Sequence, residues 1–272
     1  MKRSERLVAM TYFLIENPNA LFPLPHFVNA YQAAKSSVSE DVDIIDGLFR
    51  KQGIGYLETV AGAAGGVRFV PKMSVERSEQ MIETLIQQME TPDRILAGGY
   101  VYMSDLLGHP KTMKKIGQMF ASVFVERDVD YVVTVATKGI PIAFALGEML
   151  NVPVIIIRRD PKVTEGSTVS INYVSGSSRK IQTMVLSKRS IEEKANVVIV
   201  DDFMKAGGTI NGMISLMDEF NATVKGIGVL AEADDEDEDL KVKDYVSLLR
   251  INEISEEAKS LKIEKGNFFK VE

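Results

Sequence analysis

Cysteine is absent from all 272 residues, which excludes disulfides and thiolate metal sites and suits a reducing cytoplasm. Histidine occurs only at His26 and His109, too few ligands for a histidine-based zinc centre. No apolar run approaches the roughly 20 residues of a membrane helix, so no membrane partner is expected. The basic start Met1-Lys2-Arg3-Ser4-Glu5-Arg6 leads into a hydrophilic helix rather than an apolar signal core. Excess basic charge is missing too, and the net charge of −6 argues against a protein that coats nucleic acid indiscriminately. The acidity is uneven, however. Residues 1–72 carry eight basic and seven acidic side chains, which leaves room for a local DNA-binding module. The remaining composition, 45% hydrophobic and 26% charged, is that of an ordinary globular protein with one large domain or a small and a large one.

The first seventy residues have the order of a winged helix-turn-helix. Apolar positions Leu7, Val8, Met10, Tyr12, Phe13, Leu14 and Ile15 predict a helix over 4–17 with Ser4 as its N-cap, ended by Asn17-Pro18-Asn19. A shorter helix after Pro25 turns Phe27, Val28 and Tyr31 inward. Ser36 is the expected cap of a third helix, Ser37 to Arg50, with Val38, Val42, Ile45, Leu48 and Phe49 as its buried face. A hairpin follows, Ile54–Val60 and Val67–Val70, with a small-residue tip at Ala61–Gly66. In such a module the third helix enters the major groove by its amino-terminal end. Lys35, Ser36, Ser37 and Ser39 there offer a charge, hydroxyls and backbone N–H groups, and Arg68 near the wing's base offers a second charge.

Residues 74–90 predict an amphipathic linker helix, ended by Thr91-Pro92. Beyond it the pattern alternates. Strands are expected at 131–135, 154–157, 197–200 and 224–230, helices at 113–126, 142–150 and 210–220, and a hairpin across 169–186. Strand–helix alternation with β-branched strands specifies an α/β chain with an open, mostly parallel sheet, whose ligands sit at the carboxyl ends of the strands. The acidic run at 232–239 lacks the spacing of a calcium loop and is expected to be solvated.

The sharpest motif is Val197-Val198-Ile199-Val200-Asp201-Asp202-Phe203-Met204-Lys205-Ala206-Gly207-Gly208-Thr209. Two acids at a strand end can accept hydrogen bonds from ribose hydroxyls, directly or through Mg²⁺ and water. The small-residue loop presents backbone N–H groups and the Thr209 hydroxyl to a phosphate at a helix amino terminus. The pattern resembles the phosphoribosyl pyrophosphate (PRPP) motif of type I phosphoribosyltransferases. Ala136-Thr137-Lys138-Gly139-Ile140-Pro141, one strand earlier, is similar to that family's pyrophosphate loop. Arg158-Arg159 end a strand on the same side, and Tyr100 and Tyr102 stand before the sheet as wall or stacking candidates, with Arg158 and Tyr102 singled out. Residues 162–187 would form the flap that closes over such sites.

Two positions depart from the enzymes. Ala206 replaces a usual threonine, and Lys205 stands where the 6-oxopurine enzymes carry an aspartate that deprotonates the base. A lysine is cationic near neutral pH and cannot take that proton without a large pKa shift. Binding PRPP in its ground state alone gives affinity without rate.

Together with Ala34–Asp41, Gly62–Val67, Val135–Pro141, Thr164–Ser178 and Asp201–Gly212, the chain resembles the purine operon repressor family of Gram-positive bacteria. That resemblance implies a winged-helix DNA-binding domain at 1–73 and a phosphoribosyltransferase-like effector and dimerisation domain at 74–272. It also implies a cytoplasmic homodimer that binds double-stranded operator DNA and responds to PRPP, with Mg²⁺ arriving on the ligand and no catalytic cofactor. Guanine nucleotides carrying pyrophosphate are alternative effectors. Rival readings are an active purine phosphoribosyltransferase with a fused regulatory domain and an RNA-binding attenuator, the latter disfavoured by the acidity of residues 74–272.

Overall fold

Helix α1 (Arg3–Glu16) starts one residue before the expected 4–17 span, because Glu5 Oε2 accepts the Lys2 backbone N–H at 2.9 Å and Lys2, not Ser4, takes the cap. Helix α2 (Leu24–Tyr31) follows Pro23, and α3 (Lys35–Gln52) starts after Ala34, so Ser36 lies inside its first turn rather than capping it. Strands β1 (Gly55–Val60) and β2 (Gly66–Pro71) pair antiparallel as the wing. The four pieces close on Met10, Leu14, Phe27, Val38, Val42, Ile45, Phe49, Leu57, Val67 and Phe69. Leu48, placed on the buried face of the third helix from sequence, is exposed, as are Val8 and Tyr12 of α1, while Met10, Leu14 and Phe49 are buried. Asp41, fully buried in α3, accepts from Arg6 and, at 3.2 Å, from Arg3, which ties α1 across α3.

This computed structural model describes residues 1–62, 64–160, 166–174, 181–233 and 242–270. Helix α4 (Val75–Met89) begins at Ser74, whose hydroxyl accepts from the Arg77 N–H and whose own N–H donates to Gly53 O at 3.0 Å. Met81, Ile82, Leu85 and Met89 pack into the core of the larger unit, while Val75 stays exposed. A 3-10 turn, Pro92–Arg94, leads to the small ribbon β3 (Ile95–Leu96) and β4 (Tyr100–Val101), then to α5 (Ser104–Leu107) and α6 (Pro110–Phe124).

The main sheet has six strands in the order β12-β11-β10-β9-β5-β6. Strands β5 (Tyr131–Val135), β6 (Val154–Ile157), β9 (Asn196–Met204), β10 (Thr223–Ala233) and β11 (Val246–Ser255) are parallel, and β12 (Ser260–Lys265) closes one edge antiparallel. Helix α7 (Ile140–Leu150) connects β5 to β6, and α8 (Gly208–Asp218) connects β9 to β10. Alternation along β9 sorts the two faces: Val198 and Val200 join the side of α4, α6 and α7, whereas Val197 and Ile199 join that of α8. Strands β7 (Thr168–Val174) and β8 (Ile181–Ser187) form a separate ribbon on α8, with Tyr173 and Met184 buried. The described part of the expected flap is therefore packed against the body; Pro161–Glu165 and residues 175–180 fall outside the described residues, as do Ala63 of the wing tip and residues 234–239 of the acidic run.

Contacts join the winged helix to the larger unit: Asn19 Nδ2 donates to Leu150 O at 3.0 Å, and the Met73 N–H to Ser122 Oγ at 2.8 Å. Helices α6 and α7 meet closely at Gly117, where a Cβ would stand 2.5 Å from the Ala145 carbonyl oxygen. Gly117→Ala should therefore force the helices apart and cost roughly 1–3 kcal/mol in denaturant unfolding. Gly47, exposed in α3 with nothing within 4 Å of its Cβ position, is the control. Gly47→Ala should instead stabilise by about 0.5–1 kcal/mol.

Candidate functional site

The carboxyl edge of the parallel strands opens into a cavity of about 730 Å³. Its floor comes from the ends of β5 and β9 and the loop after β5: Val135, Ala136, Thr137, Lys138, Asp201 and Asp202. Arg158, Arg159 and Asp160 from the end of β6 form one wall, and Thr209 at the start of α8 another. The β3–β4 ribbon hangs over the opening as a hood, contributing Leu96, Ala97, Gly99, Tyr100 and Val101. One end of the cavity is thus charged and polar, and the other is apolar with a tyrosine.

Strand β9 continues through both acids to Met204 instead of ending at Val200, because β10 stays paired to it as far as Glu232 opposite Met204. The Asp202 backbone N–H donates to Asp201 Oδ1 at 2.9 Å, which holds the Asp201 carboxylate against the following peptide. Burial raises the Asp201 pKa well above its ordinary value; the Asp202 charge adds to the rise, and Arg159 opposes it. Burial also raises Asp202, against the opposing Asp201 hydrogen bond and the Lys138 charge. A pair held this way favours a partner that brings positive charge or hydroxyl donors. Behind Asp201 the backbone is tight: a Cβ at Gly139 would lie 3.0 Å from Asp201 Oδ1 and 2.2 Å from Thr134 Oγ1. The Ala136–Thr137 peptide is cis.

A smaller hollow of about 60 Å³ lies inside the loop itself, lined by Phe203, Met204, Lys205, Ala206, Gly207, Gly208, Thr209 and Ile210. Gly207 caps α8 in the left-handed region at φ 73°, which glycine adopts without a Cβ penalty. The first N–H groups of α8 point into this loop, an anion-binding arrangement. Phe203 and Thr209 line both spaces, so a ligand can present a phosphate to the loop and a sugar to the carboxylates.

Of the residues expected from sequence, Asp201, Asp202, Phe203, Thr209, Thr137, Lys138 and Arg158 line the main cavity. Met204, Lys205, Ala206, Gly207 and Gly208 line the phosphate-sized hollow, and Gly139 supports the floor from behind. Tyr102 does not line the cavity. Its N–H and carbonyl are both engaged by Arg94, and Tyr100, two residues earlier on the ribbon, takes the wall position. Leu96, Ala97, Val101 and Met103 were not identified as wall residues from the sequence; their apolar pattern reads equally well as core. Among the described residues no cluster of three or more acidic, histidine or cysteine side chains is placed to hold a metal alone. Asp201 and Asp202 are suited to a cation that arrives already held by a diphosphate.

The second candidate surface is the start of α3. Ala34 gives no side-chain cap, the first turn holds no acid, and Lys35 and Ser36 are exposed while Ser37 and Ser39 are half-buried. The orphan N–H groups there face outward beside a lysine. Arg68 differs from expectation: it pairs with Glu58 directly across the hairpin and donates to Asn19 Oδ1 at 3.3 Å, so its charge is already neutralised within the module.

Residues 2–71 match a family described as bacterial purine repressor, N-terminal, and residues 103–263 match the phosphoribosyl transferase domain. The chain is 58% identical over 269 residues to the purine biosynthesis transcriptional repressor of Bacillus subtilis (strain 168), covering 99% of this chain and 94% of that protein. It is 48% identical over 269 residues to the purine biosynthesis transcriptional activator of Lactococcus lactis subsp. lactis (strain IL1403), covering 99% of each. The adenine phosphoribosyltransferase of Thermoanaerobacter pseudethanolicus ATCC 33223 shares the fold, with a TM-score of 0.53 and 23% identity across 62% of this chain and 99% of that one.

The raised carboxylates give the site a pH signature. Above the ordinary aspartate value of 3.8 and up to the raised pKa, the native state holds more protons than the unfolded chain. Ligand-free stability should therefore fall as pH rises through that window. Asp201→Asn should flatten the slope and make the ligand-free protein more stable at neutral pH, checked by urea unfolding between about pH 5 and pH 8. An unchanged slope would show that Asp201 ionises normally.

Proposed function

Because the chain belongs to the family of bacterial purine biosynthesis transcriptional regulators, we propose that it binds operator DNA through the start of α3 and senses PRPP in the cavity under the hood. One observation carries this reading: a winged helix with an acid-free, uncapped α3 start is joined to a cavity that combines paired carboxylates, a left-handed phosphate loop and the cations Lys138, Arg158 and Arg159. The ribose hydroxyls meet Asp201 and Asp202, the 5′-phosphate enters the loop of Lys205 to Thr209, and the diphosphate lies along Thr137, Lys138 and Arg158, bringing Mg²⁺ with it. Guanine nucleotides carrying pyrophosphate offer the same phosphates and compete for this space. The close relatives are named as regulators rather than enzymes. Lys205 supports that assignment, since an ammonium does not remove a proton from an incoming base.

On DNA the reading calls for two copies, because paired half-sites mirror a two-fold axis. An exposed Phe144 on α7, in a groove with Pro110, Met113, Pro141 and Val152, supports a homodimer built through the larger unit. The setting is cytoplasmic. Among the described residues no helix is long and apolar enough to cross a membrane.

Fluorescence anisotropy on a purine-gene operator, with and without Mg²⁺-PRPP, tests the whole proposal. PRPP should shift wild-type affinity. Asp201→Ala with Asp202→Ala should keep DNA binding but weaken PRPP by at least about tenfold, since charge-assisted hydrogen bonds are lost. Lys35→Ala should weaken DNA binding and reduce its salt slope by about one unit. Incubation with Mg²⁺-PRPP and adenine, guanine, hypoxanthine or xanthine should form no nucleotide above background; turnover of about 1 s⁻¹ would make the chain an enzyme.

A further inference from the structure

Arg94 ties together three elements that also share one apolar core: α4, the β3–β4 ribbon and α5. Its Nε donates to Gln88 O in the last turn of α4 at 2.7 Å, and its Nη1 donates to Tyr102 O, just after the hood strand β4, at 2.8 Å. Both Nη atoms also bond the two Asp105 carboxylate oxygens of α5 at 2.8 Å, a fork-to-fork geometry that only a guanidinium supplies. The backbone closes the same knot, with the Tyr102 N–H donating to Arg94 O at 2.8 Å. The Arg94 side chain is only 13% exposed, whereas that of Asp105 is 49% exposed, so the guanidinium is sheltered and the carboxylate side is open to water. Hydrogen bonding to Asp105 raises the arginine, and hydrogen bonding to Arg94 holds the Asp105 carboxyl below its ordinary value.

Arg94 itself lies outside the cavity. Leu96, Ala97, Gly99, Tyr100 and Val101, which follow it directly, line that cavity. The hood is thus held at its base by Arg94 and at its tip by the Gly99 N–H, which donates to Glu256 at 2.7 Å. In the other direction α4 is a straight strut of roughly 22 Å. Its far end is bound to the end of α3: the Ser74 N–H donates to Gly53 O, and Arg77 Nη1 donates to Gln52 O at 2.6 Å. A Cβ at Gly53 would sit 2.6 Å from Ser74 Oγ, so this joint has no slack. Packed elements of this kind shift as units rather than deform gradually.

On the reading that the chain binds both operator DNA and PRPP, we propose that Arg94 is a positioning residue that transmits cavity occupancy from the hood through α4 to α3. A ligand that seats against the hood walls moves the β3–β4 ribbon. The Arg94 knot passes that movement to the end of α4, and α4 resets α3 against the DNA. Arg94 contacts neither ligand, so its role is visible only in the coupling between them.

The experiment measures operator affinity of the full chain with and without saturating Mg²⁺-PRPP, and PRPP affinity without DNA, for wild type, Arg94→Lys, Asp105→Asn and the double variant. Arg94→Lys keeps the charge and loses the fork, and Asp105→Asn is a milder second route to the same loss. In each single variant the PRPP-induced change in DNA affinity should shrink by at least about fivefold. The two separate affinities should stay within about twofold of wild type, and the double variant should resemble the singles. A wild-type ratio retained in both single variants overturns the proposal. So does a ratio lost only in proportion to a lost separate affinity, which marks Arg94 as a plain structural tie. If wild type itself shows no PRPP effect on DNA binding, the regulator reading fails instead.

Discussion

The molecule is organised by one constraint: strand β9 must stay extended, with partners on both sides, until it has delivered two carboxylates into a shielded place. Parallel pairing to β5 and β10 satisfies its backbone, and alternate side chains supply both faces of the core. Within a few residues the same strand changes from fully buried valines to a pair of acids whose ionisation is opposed by burial. The stability of the core holds this unfavourable placement, and a ligand that brought hydroxyl donors or positive charge would relieve it. Site and core are therefore two ends of one strand.

Much of this was legible in the sequence. Four buried strands, the helices between them and the Asp201–Thr209 loop follow from runs of β-branched residues and an acid-acid-glycine pattern with few other physical explanations. Other features depend on competition that one segment does not reveal. Ser4 and Ser36 look like caps, yet a glutamate at the third helical position reaches Lys2 in one case and the helix starts at Lys35 in the other. Strands β11 and β12 were missed because β11, which lies between β12 and β10, is buried on both faces from Val246 to Leu249 and so shows no alternation there. Tyr100 lies on the short ribbon and Tyr102 just past its end, where Arg94 holds the Tyr102 backbone, and of the two Tyr100 lines the cavity. Arg68 looked free in the sequence, but the hairpin register puts Glu58 directly opposite it. In the Arg68 and Tyr102 cases a contact with another segment overrode what the local sequence suggested.

Charge is handled differently in the two units. In the winged helix, Asp41 is fully buried and is answered by Arg6 and Arg3 from another helix, so two elements are locked by groups that water would otherwise solvate. In the larger unit, Asp201 and Asp202 have no comparably close ion pair among the described residues, and the charges of Lys138 and Arg159 act on them through space. The first arrangement suits a module that keeps one shape. The second leaves an electrostatic demand that a diffusible molecule can meet.

The joint between α3 and α4 has a consequence for how such chains can diverge. The end of α3 and the cap of α4 are in direct contact, and α4 runs from there to Met89, one short turn before the hood. Adding or deleting a single residue within α4 would rotate everything before it by about 100° relative to everything after it and shift it by about 1.5 Å. The angular phase between reading head and pocket is thus written into the length of one helix. Descendants can exchange surface residues freely on either side, yet they must conserve that length to the residue, and a head borrowed from another protein would arrive facing the wrong way unless its own strut were cut to the same count.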